Sequence, residues 1–423
     1  MHRIIAAFLA ATTCVAVTQA QESIAAQRGA APILTLDQAV SAAGGNAPAT
    51  DAAQADIAAS RAARTVAGLR PNPELQTQVE NVAGSGPYGG FSQAETTVGL
   101  NIPIELGGKR GARIAVAEAQ TSRALLVAAI TQADIRLQVT QLYVDVVAAE
   151  RRLATARDQL RIAQDALSAA KVRVQAGRAS PIEEQRADVA HLNAGAGMQR
   201  AQRLAEAART NLGRRIGRVI EDRLDATALD SLPDATQGPS LVTGEGTLAL
   251  AAASADVAIA DAGVRLAQSQ RMPDLTAGPA VRRLEASNDT AAVFSLSIPI
   301  PLFNAGKAAL SQANAERTRA EAQRRMAAID VEQAITDAQA TADNAATTAR
   351  NATGPALAAA QEAARIARIG YREGKFGQLD LLDAERTLSD TRVAAIDALA
   401  AYQNARAQLE RLTAPVPQQE IDR

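Results

Sequence analysis

The sequence predicts a mainly α-helical protein that carries a piece of a membrane β-barrel, with the whole plan laid out twice along one chain. Three observations lead there. Landmarks recur about 200 residues apart, two stretches of nearly 70 residues contain almost no helix breakers, and four short segments alternate in polarity residue by residue. Composition agrees. Aromatics make up 2% of the 423 residues, tryptophan is absent and alanine dominates. Alanine loses no side-chain entropy in a helix, and its small side chain lets long helices approach one another closely. A formal charge of −1 offers no basic footprint for nucleic acid.

The first twenty residues read as a secretory signal peptide (1–20). "MHR" is a short positive region, "IIAAFLAATTCVAV" an apolar one, and Thr18-Gln19-Ala20 an acceptable cleavage site. Cys14 is the only cysteine and would leave with the signal. Lipidation of Cys14 is the minor alternative, because Thr13 stands where a lipoprotein needs Gly, Ala or Ser. A mature chain without cysteine raises no redox question in an oxidising compartment.

Beyond the signal, "LRPNPEL" from Leu69 answers to "SQRMPDL" from Ser269, and "IPIELGGKR" from Ile102 answers to "IPIPLFNAGK" from Ile298. "QAGRASPIEEQRA" answers to "REGKFGQLDLLDA", Gly177 matching Gly374 at a distance of 197 residues. Matched landmarks in the same order mark an internal duplication. The first repeat is placed at 21–225, an equatorial linker at 226–245, the second repeat at 246–412 and a C-terminal tail at 413–423.

Each repeat opens with a helix: "LTLDQAVSAA…ASRAARTVAGL" in the first, "GTLALAAASADVAIADAGVRLAQS" in the second. Pro71 and Pro73, or Pro273, stop it. Two hairpins follow, 73–105 and 274–301, with strands at Pro73–Ala83, Ala94–Glu105, Asp274–Ala286 and Thr290–Pro301. Val98, Leu100 and Ile102 oppose Thr97, Gly99 and Asn101; Ala292, Phe294, Leu296, Ile298 and Ile300 oppose Val293, Ser295 and Ser297. Such alternation makes a sheet with two unlike faces.

Long helices come next, 107–176 and 305–373, each roughly 100 Å at ~1.5 Å per residue. "TGP" at Thr353–Pro355 should kink the second. The return helices are placed at 180–214 and 378–412. In the second, Leu381, Ala384, Leu388, Thr391, Ala395, Ala398, Tyr402, Ala405, Leu409 and Leu412 step by three and four, a heptad seam. At the first turn Ser180 can cap, Pro181 takes the first helical position and Glu183 completes a capping box. At the second, Gly377 takes the cap place and Asp380 that of Glu183, which makes Asp380 a first-turn carboxylate favoured by the helix dipole.

Strands of about 9–11 residues suit a tilted crossing of a bilayer. Lipid tolerates no open sheet edge, and a closed barrel needs at least about eight strands. One chain supplies four, so closure requires several chains. Tyr88, Phe91, Phe294 and Phe303 fall in or beside the hairpins, where aromatic girdles sit. On these grounds alone a soluble helical protein with two small hairpins stays open as an alternative.

The signal peptide, the duplicated helix–hairpin–long helix–return helix plan, "PNPEL", "PIELGGKR", "IPIPLFNAGK" and the two glycine turns resemble the TolC-type outer membrane factors of tripartite efflux pumps, from about Leu34 to Leu412. The resemblance implies a homotrimer whose twelve-stranded outer-membrane β-barrel, four strands per chain, stands on a long α-helical coiled-coil barrel crossing the periplasm of a Gram-negative cell. "LRPNPEL…PIELGGKRGAR" is most similar to the cobalt–zinc–cadmium branch. That similarity implies a passive exit duct for divalent heavy-metal cations, working with a periplasmic adaptor and an inner-membrane RND pump, surrounded by outer-membrane lipid and needing no cofactor. A duct for organic drugs or for type I protein secretion is the alternative within the family. A periplasmic coiled-coil structural or adaptor protein is the alternative outside it, and the duplication with four membrane-length strands argues against that.

The resemblance also implies sites. A periplasmic gate maps onto Tyr371, Asp380 and Asp383, with Phe376 standing where the family pattern has an arginine. Adaptor-docking tips map onto Gly177, Arg178 and Ser180 in the first repeat and Gly374, Lys375 and Gly377 in the second. Arg186 stands at the first-repeat place of Asp383, so only the second repeat can form a double acidic ring.

No enzyme constellation is expected. His191 is the one mature histidine and reads as a surface or packing residue. With Met198, Met272 and Met326 as the mature sulfur donors, no soft-metal site of usual type can be built. "LGGKRG" lacks the spacing of a phosphate loop and reads as a strand-to-helix joint.

Overall fold

The computed structural model describes residues 33–233 and 243–417. The expected signal peptide, part of the expected linker and the last residues of the tail lie outside them. The chain begins with β1 (Ile33–Leu34) and α1 (Leu36–Asn46). Thr35 and Gln38 form a complete capping box, the Thr35 hydroxyl accepting the Gln38 N–H at 3.3 Å and the Gln38 amide oxygen accepting the Thr35 N–H at 3.1 Å. α2 runs Pro48–Ala67. The opening helix read as continuous is therefore two helices, broken at Ala47, which is extended at φ −83 and ψ 122. The proline ring excludes the helical region for the residue before it, and that forces the break.

β2 (Glu74–Glu80) and β3 (Glu95–Ile104) follow, then α3 (Lys109–Gln175), 67 residues without interruption. α4 (Pro181–Ile216) returns and ends on Gly217 in the left-handed region, φ +82. Inside the expected linker lie a short 3₁₀ turn at Ala226–Leu229, just after β4 (Arg223–Leu224). α5 (Leu248–Ser269), β5 (Leu275–Leu284) and β6 (Asp289–Ser297) repeat the pattern. β6 stops four residues earlier than the alternation suggests, so Ile298–Pro301 are outside the sheet. Pro299 and Pro301 carry no N–H for the ladder, which ends it.

α6 (Lys307–Asn351) passes through a π-turn at Ala352–Ala356 into α7 (Leu357–Arg372), and α8 (Gln378–Leu412) closes the second repeat. "TGP" thus works by a wide turn that absorbs Pro355, whose ring and missing N–H an α-helical turn would not accommodate.

The described chain forms two compact units. One comprises residues 33–47, 134–233 and 338–411. Its core joins Ile135, Val139, Tyr143 and Val147 of α3, Leu212 and Ile216 of α4, Ala349 near the π-turn, and Leu399 and Tyr402 of α8. β1 and β4 pair in parallel, Leu34 opposite Leu224. Tyr143 locks that pair: its hydroxyl donates to the Leu34 carbonyl at 2.7 Å and accepts the Asp225 N–H at 2.8 Å. Burial pushes the Tyr143 hydroxyl up to about 12. Gln403, also buried, donates to the Leu229 and Ser231 carbonyls. On α8 the heptad positions Leu388, Ala395, Ala398 and Tyr402 are buried.

The other unit comprises residues 48–133, 243–337 and 412–417. It holds a four-stranded antiparallel sheet in the order β2-β3-β5-β6. Helix contacts here are ionic as well as apolar: Arg64 with Glu118 at 2.7 Å and Arg123 with Asp256 at 2.9 Å. The tail begins by pairing back on this unit, Pro415 bridging to Thr247 and the Val416 N–H donating to the Gly246 carbonyl.

Candidate functional site: a two-faced sheet and two helical tips

Register makes the sheet two-faced. Val98 pairs with Val281 and Val281 with Ala292, while Leu75 pairs with Leu100, and Pro279 with Phe294. One face therefore collects Leu75, Val98, Leu100, Ile102, Phe294 and Leu296, all exposed, with Phe294 70% accessible. From Val98 to Ile104 this apolar face extends about 20 Å at ~3.3 Å per residue, close to the band a bilayer requires. The opposite face is polar. Asn101 donates to the Gln76 side chain at 2.7 Å, and Arg282 contacts Thr97, Glu95 and Glu80. A one-residue slip between any two strands would mix the faces, so the alternation and the pairing specify each other.

The sheet is seated on its helices by ionic joints. Arg113 pairs with Glu105 through both carboxylate oxygens, and Lys109 reaches Asp274 at 2.7 Å. "LGGKRG" is the joint itself, where Gly107 and Gly108 both take positive φ.

The two tips share one backbone design. Gly177 has φ +70 and Gly374 φ +74. In the first, the Arg178 N–H donates to the Arg173 carbonyl and the Gly177 N–H to the Val174 carbonyl; in the second, Lys375 donates to Gly370 and Gly374 to Tyr371. This pair of bonds is the Schellman motif, which needs a residue free to be left-handed. The expected Ser180–Glu183 capping box is absent. Ser180 makes no side-chain cap bond, and one Glu183 carboxylate oxygen is buried without a hydrogen-bond partner. The Glu183 N–H, which the Ser180 hydroxyl would have to accept, donates to the Ser180 carbonyl at 2.9 Å, while the Glu183 carbonyl accepts from the Gln378 side chain at 3.0 Å.

At the second tip Asp380 does cap: its carboxylate accepts the Gly377 N–H at 2.9 Å. Asp383 is exposed one turn on. Tyr371 is half-buried, with the Arg173 guanidinium 4.8 Å from its ring centre and its hydroxyl buried without a hydrogen bond. Phe376 lies flat on Gly370, where any β-carbon would collide with the ring. Tyr371 lines a groove between α3, α7 and α8 that Asp380 and Asp383 do not line, so the three expected gate residues sit in two settings. Arg178, Lys375 and the glycines of both tips are exposed.

Sequence reasoning missed the charged lining of that groove. Glu385, 3% accessible, binds Arg368 through both oxygens, and Asp158 bridges Arg161 at 2.6 Å and Arg392 at 2.8 Å. Hydrogen bonding to Glu385 holds the Arg368 guanidinium up, and that from Arg161, reinforced by Arg392, holds the Asp158 carboxyl down. The available signal was Glu385 falling four residues after Leu381 on the heptad side of the helix. His191 is half-buried, one ring nitrogen buried and unbonded, and no group of three or more His, Cys, Asp or Glu side chains able to hold a metal occurs among the described residues.

The profile of the family described as outer membrane efflux protein matches residues 39–218 and again 245–414. The cobalt-zinc-cadmium resistance protein CzcC of Cupriavidus metallidurans is 31% identical over 388 residues, which cover 91% of each chain. The nickel and cobalt resistance protein CnrC of the same organism is 30% identical over 278 residues, 63% of each chain. Among solved structures, the open-state MtrE outer membrane channel of Neisseria gonorrhoeae superposes with a TM-score of 0.73 at 21% identity, covering 89% of this chain and 88% of that one. The outer membrane protein VceC of Vibrio cholerae gives 0.71 at 18% identity, covering 90% and 96%. The fold is that of the TolC-type channels, and the chain belongs to the outer membrane efflux protein family.

Proposed function

We propose that three copies of this outer-membrane efflux protein close one twelve-stranded barrel and form the passive exit duct of a tripartite pump for divalent heavy-metal cations. The observation that carries the assembly is the sheet. β2 and β6 each have a single strand partner among the described residues, and both lie beside an apolar face of bilayer height. Unpaired backbone groups in hydrocarbon cost several kcal/mol each, so these edges need neighbours, and identical chains supply complementary ones. The polar face then lines the lumen. The cation cargo is supported by the names of the relatives, which are metal-resistance proteins. A duct of this kind needs no catalytic residue, because energy and selection come from an inner-membrane partner. The Gly177 and Gly374 turns offer rigid tips for a periplasmic adaptor.

At the second tip Asp383 is the carboxylate left free for a three-fold ring that favours cations, with Asp380 one turn nearer the end and Tyr371 flanking the groove. Detergent extracts of the outer membrane should contain a heat-sensitive trimer, and cysteines placed on β2 and β6 should crosslink between chains. A soluble monomer would refute the assembly. Deleting the gene should sensitise cells to cobalt, zinc or cadmium; unchanged metal tolerance with raised drug sensitivity would shift the cargo to organic compounds. Asp383→Ala, and more so its combination with Asp380→Ala, should raise single-channel conductance and weaken cation preference. Intact trimers with unchanged conductance would remove the gate.

A further inference from the structure

We infer that Arg282 sets the ion preference of the duct at its outer mouth, an inference that rests on the trimeric-channel reading above. Its side chain crosses three strands on the polar face. Nε donates to the Thr97 hydroxyl at 3.0 Å, Nη1 to a Glu95 oxygen at 2.8 Å, and Nη2 lies 3.3 Å from a Glu80 oxygen. Glu80 pairs with Glu95, and Glu95 with Leu284, in the last paired row before the hairpin connections. That row is at the end of the strands remote from the joints with α3 and α6, so in a barrel standing on periplasmic helices it opens to the cell exterior.

Strand alternation fixes the direction. Arg282 shares its face with Gln76, Gln78 and Ser295 around one shallow cavity and lies opposite Val281 and Phe294. Its next neighbours on that face towards the helices, Ala280 on its own strand and Gly99 on β3, are small and leave the guanidinium uncovered, 31% accessible at the side chain. One guanidinium between two carboxylates leaves a single negative charge in this cluster, and Asp289, in the same paired row, adds a second per chain. Repeated by the three-fold axis, they become a weakly acidic ring whose strength depends on whether Arg282 is present. The planar fork of arginine suits this bridging position, because it binds both glutamates and the threonine without turning.

A purely structural strap would behave differently, and charge variants separate the two roles. Purified trimers in planar bilayers under a KCl gradient provide the readout. Arg282→Gln should raise the K⁺ to Cl⁻ permeability ratio by roughly twofold or more, the scale expected when uncompensated charges act in a narrow low-dielectric mouth. Arg282→Lys, which keeps the charge and loses the fork, should leave the ratio near that of the wild type. Glu80→Gln with Glu95→Gln should move it the opposite way, and this pair carries the test if Arg282→Gln does not assemble. Conducting wild-type trimers with the same reversal potential in these variants would overturn this inference and leave the channel standing. A wild-type trimer that does not conduct would overturn both.

Discussion

At Gly177 and at Gly374 the chain turns through the same left-handed residue and the same two backbone bonds, yet the side chains around the two turns do different things. After Gly177 the helix starts without a side-chain cap, Glu183 keeps a buried unbonded oxygen, and Arg186 faces outwards. After Gly374 the helix is capped by Asp380, Asp383 is exposed, and the groove behind them is closed by the Arg368–Glu385 and Asp158–Arg161–Arg392 ion pairs. Backbone geometry at a tip depends on a glycine and two helix ends, so both repeats satisfy it. Electrostatics depends on individual side chains, and the ion pairs gather beside α7 and α8, with Asp158 and Arg161 contributed by α3 of the first repeat. A duplicated scaffold can thus keep one backbone turn in both repeats while the side chains around the two turns diverge.

Breaking the network should show the largest difference. Glu385→Ala removes the two-oxygen pair with Arg368 and should lower stability by about 1 kcal/mol, because the guanidinium is 44% accessible and water takes over its donors. The equivalent first-repeat change, Asp188→Ala, is expected to stay within about 0.5 kcal/mol. Thermal unfolding of detergent-solubilised protein by circular dichroism checks both, and equal losses would mean the tips do not differ.

Gly374→Ala and Gly177→Ala should each cost about 1–2 kcal/mol, since an L residue pays that in the left-handed region. A β-carbon at either site meets nothing within 4 Å, so the cost is torsional and should match between the tips. Unequal losses in the same unfolding experiment would show that one turn carries strain the other lacks.

Acid should act on the ion-paired groove more than on the first tip. The Asp158 carboxyl is held below its ordinary value in the folded state, chiefly by Arg161. Its contribution is therefore complete above the unfolded value of about 3.9 and is lost as pH falls through the folded value. Amide exchange at residues 388–395, around its partner Arg392, should lose protection below about pH 4, more than at 178–188; parallel loss at both would contradict the assignment.

The smallest effect sharpens the comparison at the caps. Ser180→Ala should change stability by no more than a few tenths of a kcal/mol, well under the ~1 kcal/mol of a working cap. Asp380→Ala should cost nearer that full amount. A large loss for Ser180→Ala would reinstate the capping box.

The element order, the duplication, the strand faces and the glycine turns were legible in the sequence because each rests on local rules: breaker residues, period-2 or heptad spacing and the left-handed freedom of glycine. Val98, Leu100, Phe294 and Leu296 could be assigned to one face by alternation alone, and Gly177 and Gly374 to matching turns by position. Three things required the tertiary structure. The register that puts Glu80, Thr97, Glu95 and Arg282 in one cluster joins strands almost 190 residues apart at its longest hydrogen bond. The burial of Glu385 against Arg368 depends on how α7 and α8 pack. The contact of the Gln378 side chain with the Glu183 carbonyl joins the two tips, 195 residues apart. Local chemistry decides which element forms; which charges meet is decided by chain segments that only the folded structure brings together.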